Sequence, residues 1–215
     1  MSYSLYTVGH SNLEIEDFIS LLQQHQITAV ADVRSSPYSR RFPQFNQTAI
    51  QKSLKAIDIS YVFLGQELGA RTEDSNCYVE GKALYENIAK TELFSQGIQR
   101  IIKGLEHYKI ALMCAEKDPI TCHRTILVCR RLKEFDLDIH HILNDGSLES
   151  HQELEERLLQ LFGLSSLQLQ QPKVIQLSLF ERTSNSMEIP PKSRAELLSE
   201  AYQKQGYKIA YVKRS

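Results

Sequence analysis

Ala111-Leu-Met-Cys-Ala-Glu-Lys-Asp-Pro-Ile-Thr-Cys-His-Arg124 is the stretch that decides how the rest of the chain is read. It opens on a short apolar run, the mark of a buried strand. Asp118-Pro119 then starts a helix, because an aspartate can accept from free backbone N–H groups and proline is preorganised for the first helical position. A strand turning directly into a helix is the unit from which open α/β sheets are built. Ligands collect at such turns, where helix N-termini and their free N–H groups converge. Two thiols (Cys114, Cys122), a carboxylate (Glu116), an imidazole (His123) and a guanidinium (Arg124) crowd this one. The pattern puts Cys122, His123 and Arg124 in the first turn of a helix spanning 119–135. A plainer alternative makes Cys114 a small core hydrophobe and Arg124 a surface charge.

The same alternation runs outward in both directions. Strands are predicted over 4–9, 27–33, 59–64, 109–114 and 137–143, with helices over 13–25, 47–57, 93–107, 119–135 and 150–162. Strands alternating with helices of this length imply βαβ units. The fold class is therefore α/β, a Rossmann-like three-layer arrangement with a mostly parallel sheet and helices on both faces. It occupies residues 1–163 and carries the candidate site. Residues 164–215 form a C-terminal extension of polar linkers, the segment 174–180, and a helix–strand pair over 194–203 and 207–212. Residues 35–46 and 65–81 are long polar connections, which in a compact domain tend to carry function.

If the strands are parallel, their carboxyl ends share one rim. Strand one then delivers His10, Ser11 and Asn12; strand two delivers Asp32 and Arg34, with Arg40 and Arg41 in the loop beyond. Glu67 and Arg71 follow strand three, and strand four brings Cys114, Glu116, His123 and Arg124. The arginines offer planar forks suited to phosphate or carboxylate, and helix N-termini add partial positive charge. Ser11, Asn12, Arg34, Arg40, Arg41, Arg71 and Arg124 are thus candidate substrate-binding residues. His10, Asp32, Glu67, Cys114, Glu116 and His123 are candidates for acid–base or nucleophilic work. Asp32 and Glu67 serve equally well as ion-pair partners. Cys114 is a candidate nucleophile, although a Cys followed six residues later by Arg in one glycine-bearing loop, as in tyrosine phosphatases and rhodanese-like proteins, is absent.

Bulk properties narrow the classes. With 215 residues, 42% hydrophobic and 24% charged, the chain can bury a substantial core. A formal net charge of −1 gives no global basic field, which argues against a pure nucleic-acid-binding protein. The polar N-terminus does not read as a secretory signal and no stretch reads as a membrane span, so a cytoplasmic protein with reduced thiols is expected. The spacing C-x7-C-H-x5-C matches no zinc pattern and no C-x-x-C occurs, so no metal is assigned and the cofactor is left unknown. A zinc site from Cys114, Cys122 and His123 stays as a geometric alternative.

Four blocks, taken together, resemble a known family. They are Tyr6-Thr-Val-Gly-His-Ser-Asn12; Ala31-Asp-Val-Arg-Ser-Ser-Pro37 with Phe42-Pro43; Leu64-Gly65 with Glu67-Leu68-Gly69 and Arg71; and Met113-Cys-Ala-Glu116 with Cys122-His-Arg124. In this order, over roughly residues 3–145, they are similar to the domain-of-unknown-function 488 family. The resemblance implies a compact α/β domain with these motifs as its site, and implies no reaction. Separately, Gln176-Leu-Ser-Leu-Phe180 resembles the pentapeptide by which bacterial polymerases and repair proteins dock on the replication sliding clamp. There Gln176 would take a polar pocket edge, with Leu177 beside it, and Leu179 and Phe180 an apolar pocket. The alternation of Ile175, Leu177 and Leu179 equally fits a half-buried strand.

Three functional readings follow. One is an enzyme acting on a phosphate-bearing substrate of the nucleotide or DNA kind, in repair or replication. A second is a non-catalytic module that recognises a nucleic-acid end or a nucleotide. The third is a thiol enzyme of small-molecule metabolism. The density of acid, base and thiol groups favours an enzyme, with hydrolase or transferase chemistry.

Overall fold

The computed structural model describes residues 3–165 and 192–213. In chain order the strands are β1 (Tyr3–Gly9), β2 (Ala29–Asp32), β3 (Ser60–Phe63), β4 (Tyr78–Val79), β5 (Lys82–Ala83), β6 (Ile110–Cys114), β7 (Leu137–Ile142) and β8 (Leu148–Ser150). Six of them form one sheet in the order β3-β2-β6-β1-β7-β8. Every pairing is parallel except β7 with β8, so this is the mostly parallel α/β sheet expected.

The central strand β6 is buried along its whole length, which explains its unbroken apolar run. Its side chains alternate between two cores. Ile110, Leu112 and Cys114 face one; Ala111 and Met113 face the other. The second core is closed by α1 (Ile15–Gln24) through Phe18 and Leu22, and by α2 (Gln47–Lys55) through Ile50 and Leu54. The short helices α3 (Gly65–Leu68) and α4 (Tyr85–Ile88) precede α5 (Glu92–Leu105) on the first face. Thr91 caps α5 by accepting from the Phe94 N–H, and Phe94, Ile98, Ile101 and Leu105 supply its buried stripe. After α6 (Arg130–Leu132), helices α7 (His151–Leu161) and α8 (Arg194–Ile209) complete that face. Each of these two starts with a reciprocal cap, Ser150 with Glu153 and Ser193 with Glu196. Leu197, Leu198, Ala201 and Tyr202 of α8 belong to the same core as the sheet, so this part of the extension is integral to the fold.

Two expectations are corrected. Residues 119–135 are not one helix. Pro119–Thr121 make a single 3-10 turn, Cys122 is extended (φ −122°, ψ 140°), and a π-helical segment over Arg124–Cys129 then leads into α6. The break turns Cys122 and His123 inward to bond with Glu116 and the Val33 carbonyl. The C-terminal element also differs, since α8 runs on to Ile209 where a strand over 207–212 was expected. Strand-type composition is overridden by packing: Gln205 donates to the Ile120 carbonyl at 2.7 Å, and Gly206 lies on the Tyr85 ring. Only Val212 pairs, as a bridge to Lys82 beside the β4–β5 hairpin. The segment 174–180 lies outside the described residues. Among those described, no helix is long and apolar enough to cross a membrane.

Candidate functional site

The carboxyl ends of β2, β6 and β1 lie side by side and are tied by backbone hydrogen bonds. His10 and Ser11 donate to the Cys114 and Ala115 carbonyls, both at 2.9 Å, and Val33 donates to the Met113 carbonyl at 3.1 Å. Gly9 lets the 115–117 loop approach this closely, since a Cβ there would stand 1.9 Å from the Glu116 carbonyl oxygen. Above this edge opens a cleft of about 1150 Å³. Of the candidates, the structure brings His10, Ser11, Asn12, Arg34, Arg41, Arg71, Cys114, Glu116 and His123 to its walls.

Arg34 is the buried anchor of the cleft. Its Nε and Nη2 fork onto both oxygens of the fully buried Asp32, at 2.9 and 2.7 Å, and Nη2 also donates to the Phe45 carbonyl at 2.8 Å. Tyr61 donates to Asp32 as well, at 2.8 Å. Asp32 therefore orients Arg34 from below and lies behind the cleft wall. Nη1 donates to His10 Nε2 at 3.2 Å. Of the five guanidinium N–H groups, one on Nη1 is left for a ligand. His10 stacks on Phe45, and burial, reinforced by the Arg34 charge, lowers its pKa to about 4. It is thus neutral, its Nε2 lone pair is spent on Arg34, and its Nδ1–H is 3.1 Å from the Ser11 carbonyl. A group so committed positions Arg34 and shuttles no proton in this arrangement.

Three candidates lie elsewhere. Glu67 is ion-paired with Arg100 of α5, away from the cleft. Arg40 is exposed on the 35–46 loop and does not line it. Arg124 is 0% exposed and sits beneath the floor, donating to the Glu116 carbonyl at 2.7 Å, the Lys117 carbonyl at 3.3 Å and the Thr7 hydroxyl at 3.4 Å. It holds the loop rather than presenting a fork to solvent, so the reading of it as a surface charge is overturned.

The floor is a compact cluster. One oxygen of Glu116, Oε2, accepts from both Cys114 Sγ and Cys122 Sγ, each at 3.0 Å, and Cys114 Sγ is 3.6 Å from His123 Nδ1. Burial and the neighbouring Cys122 push the Cys114 thiol well up. Burial also opposes ionisation of Cys122, yet the hydrogen bond from Cys114 and the adjacent Arg124 and His123 hold that thiol well below its ordinary value. Burial and then the Cys122 charge raise Glu116. His123 is raised by Cys122 against the opposing effect of burial. Of the two thiols, Cys122 is thus the one whose surroundings favour ionisation, and Cys114 is the one that faces the cleft.

Several lining residues escaped the sequence. Tyr85, and Tyr211 from the chain end, form one wall, with Arg71 held 4.7 Å above the Tyr211 ring. No local pattern links residue 211 to residue 71. Lys117 also lines the cleft and stood within the decisive stretch, masked by its surface-like character.

Fold and site together define a parallel α/β protein whose cleft sits on the carboxyl edge of three adjacent strands, above a thiol–imidazole–carboxylate floor. Residues 14–130, just over half of the chain, match the family described as Domain of unknown function DUF488, and the chain belongs to that family. No curated protein and no solved structure matches it.

Proposed function

We propose that the cleft binds a phosphate-bearing substrate of the nucleotide or DNA kind, and that the protein is an enzyme, a hydrolase or transferase, working from the Cys114–Glu116–His123 floor. One observation carries the reading. Arg34, Arg41, Arg71 and Lys117 all line the cleft, while Glu116 is the one carboxylate among its described lining residues, and burial raises that group toward neutrality. Cations converging in a concave site favour phosphate, and the tyrosine rings of the walls offer faces for a base. The cleft is large enough for a nucleotide.

Isothermal titration calorimetry on the full chain tests this with three ligands: inorganic phosphate, a nucleoside monophosphate and a short single-stranded oligonucleotide. At least one should bind, more weakly as salt rises. Arg71→Ala should weaken binding about tenfold or more, the loss of one charge-assisted contact. Absence of binding by all three, or binding indifferent to salt and to Arg71, would defeat the proposal.

Gln176-Leu-Ser-Leu-Phe180 supports placing that enzyme on DNA, in repair or replication, by docking on a bacterial sliding clamp. A labelled peptide of residues 172–184 should bind such a clamp with roughly micromolar affinity, about −8 kcal/mol, and lose it when Leu179 and Phe180 are both changed to Ala. The proposal also sets the protein in a reducing cytoplasm, where neighbouring thiols such as Cys114 and Cys122 stay unpaired.

A further inference from the structure

We propose that Cys114, Glu116, Cys122 and His123 are the ligands of a divalent zinc-type ion at the floor of the cleft. Their donor atoms all lie within 4.8 Å of one another. A tetrahedral zinc ion, about 2.3 Å from sulfur and about 2.0–2.1 Å from nitrogen, sets such ligands roughly 3.5 Å apart. The Cys114 Sγ to His123 Nδ1 separation is 3.6 Å, and the two 3.0 Å contacts of Glu116 need open only slightly to admit the ion.

A second observation concerns the imidazole. His123 Nε2 is 2.9 Å from the Val33 carbonyl, which can only accept, so Nε2 carries a hydrogen. In the neutral ring the lone pair is then on Nδ1, facing the thiols. Zinc-binding histidines are oriented in this way by a backbone carbonyl behind them. The carbonyl comes from the end of β2, so the sheet itself aims the ring.

The charge balance of the cluster is compatible with the same assignment. Two thiolates and a carboxylate around a doubly charged cation leave one net negative charge at the cluster, whose two sulfurs are buried while Glu116 reaches solvent. Arg124 lies directly beneath, fully buried, and has no carboxylate within ion-pairing distance among the described residues. A buried guanidinium is costly unless negative charge lies near; the Arg124 backbone N–H is 3.4 Å from Cys122 Sγ, and zinc ligation would hold that sulfur as thiolate. Two sulfurs and a nitrogen select zinc over magnesium or calcium, which require oxygen. The spacing matched no known pattern because the ligands come from a strand end, the following loop and a break between two helical turns. This inference concerns the same floor from which the proposed enzyme would work, and it is tested separately because phosphate is expected at Arg41 and Arg71 on the cleft walls.

The test uses the full chain, reduced and dialysed against micromolar free zinc, with metal content read by inductively coupled plasma mass spectrometry. One zinc per chain is expected. Cys122→Ser and His123→Ala should each weaken binding more than about 100-fold, beyond what loss of an outer-shell partner costs, while Cys77→Ala keeps the full metal content. Cobalt(II) bound to the unaltered protein should show thiolate-to-cobalt charge transfer and the intense visible bands of a tetrahedral centre. That spectrum decides the matter even if the variants fail to fold. Substoichiometric zinc in the reduced protein, or a cobalt spectrum without sulfur ligation, would overturn the assignment. Phosphate titration of chelator-treated protein then reports separately on the anion site.

Discussion

Arg124→Met is the perturbation that most directly separates a strut from a surface charge. Methionine keeps the length and much of the apolar stem, so little cavity is created. What goes is the guanidinium and its bonds to the Glu116 and Lys117 carbonyls, at 2.7 and 3.3 Å. Hydrogen bonds to a charged group are worth about 1.5–3 kcal/mol, and a buried carbonyl left unpaired costs a similar amount. Lys117 is exposed, so water can take its carbonyl; Glu116's carbonyl packs against Gly9 and is harder to rehydrate. Thr7 retains His141 as a partner at 2.8 Å. Counting one full loss and one partial loss gives about 2–4 kcal/mol, or a fall in Tm of roughly 10 °C for a chain of this size. Urea denaturation followed by circular dichroism measures it. A loss below about 1 kcal/mol would mean that the 115–117 loop does not depend on Arg124, and the account of the floor would be wrong.

Other outcomes follow from the same geometry. Arg71→Ala should leave stability within about 0.5 kcal/mol by the same denaturation, because its guanidinium is exposed and stacks only on Tyr211, while ligand binding falls. Gly9→Ala should cost more than about 2 kcal/mol in thermal melts, since its methyl would enter the Glu116 carbonyl; an unchanged Tm would show the loop to be free to move. His10 and His151 are each lowered to about 4 by burial, so the unfolded chain takes up their protons first as pH falls. Stability is therefore full above about pH 6.5 and declines toward pH 4, by up to ~3 kcal/mol for each group. Urea midpoints that stay level or rise from pH 7 to pH 5 would contradict this.

The fold was legible because its signals are local. The apolar run at 110–114 and the alternation of strand with helix each act over a few residues, and hydrophobic periodicity reports them directly. The parallel sheet followed from that alternation, and with it the gathering of His10, Arg34 and Cys114 at one rim. Element ends were less legible where tertiary contacts outweigh propensity: the Tyr85 ring under Gly206 keeps α8 helical through strand-forming residues, and the inward bonds of Cys122 and His123 break the helix after Thr121. The sequence alone brought His10, Arg34, Cys114, Glu116 and His123 to the carboxyl edge, because each follows directly on a strand end or its adjoining turn. Only the tertiary structure decided what each does there, because burial and partners, which set charge state and reach, depend on residues far apart in the chain. Asp32 and Arg124 turn inward as struts, Glu67 leaves for Arg100, and Tyr211 arrives to close a wall. The 3.0 Å meeting of Cys114, Cys122 and Glu116 likewise exists only once β6 has ended and the chain has doubled back beneath it.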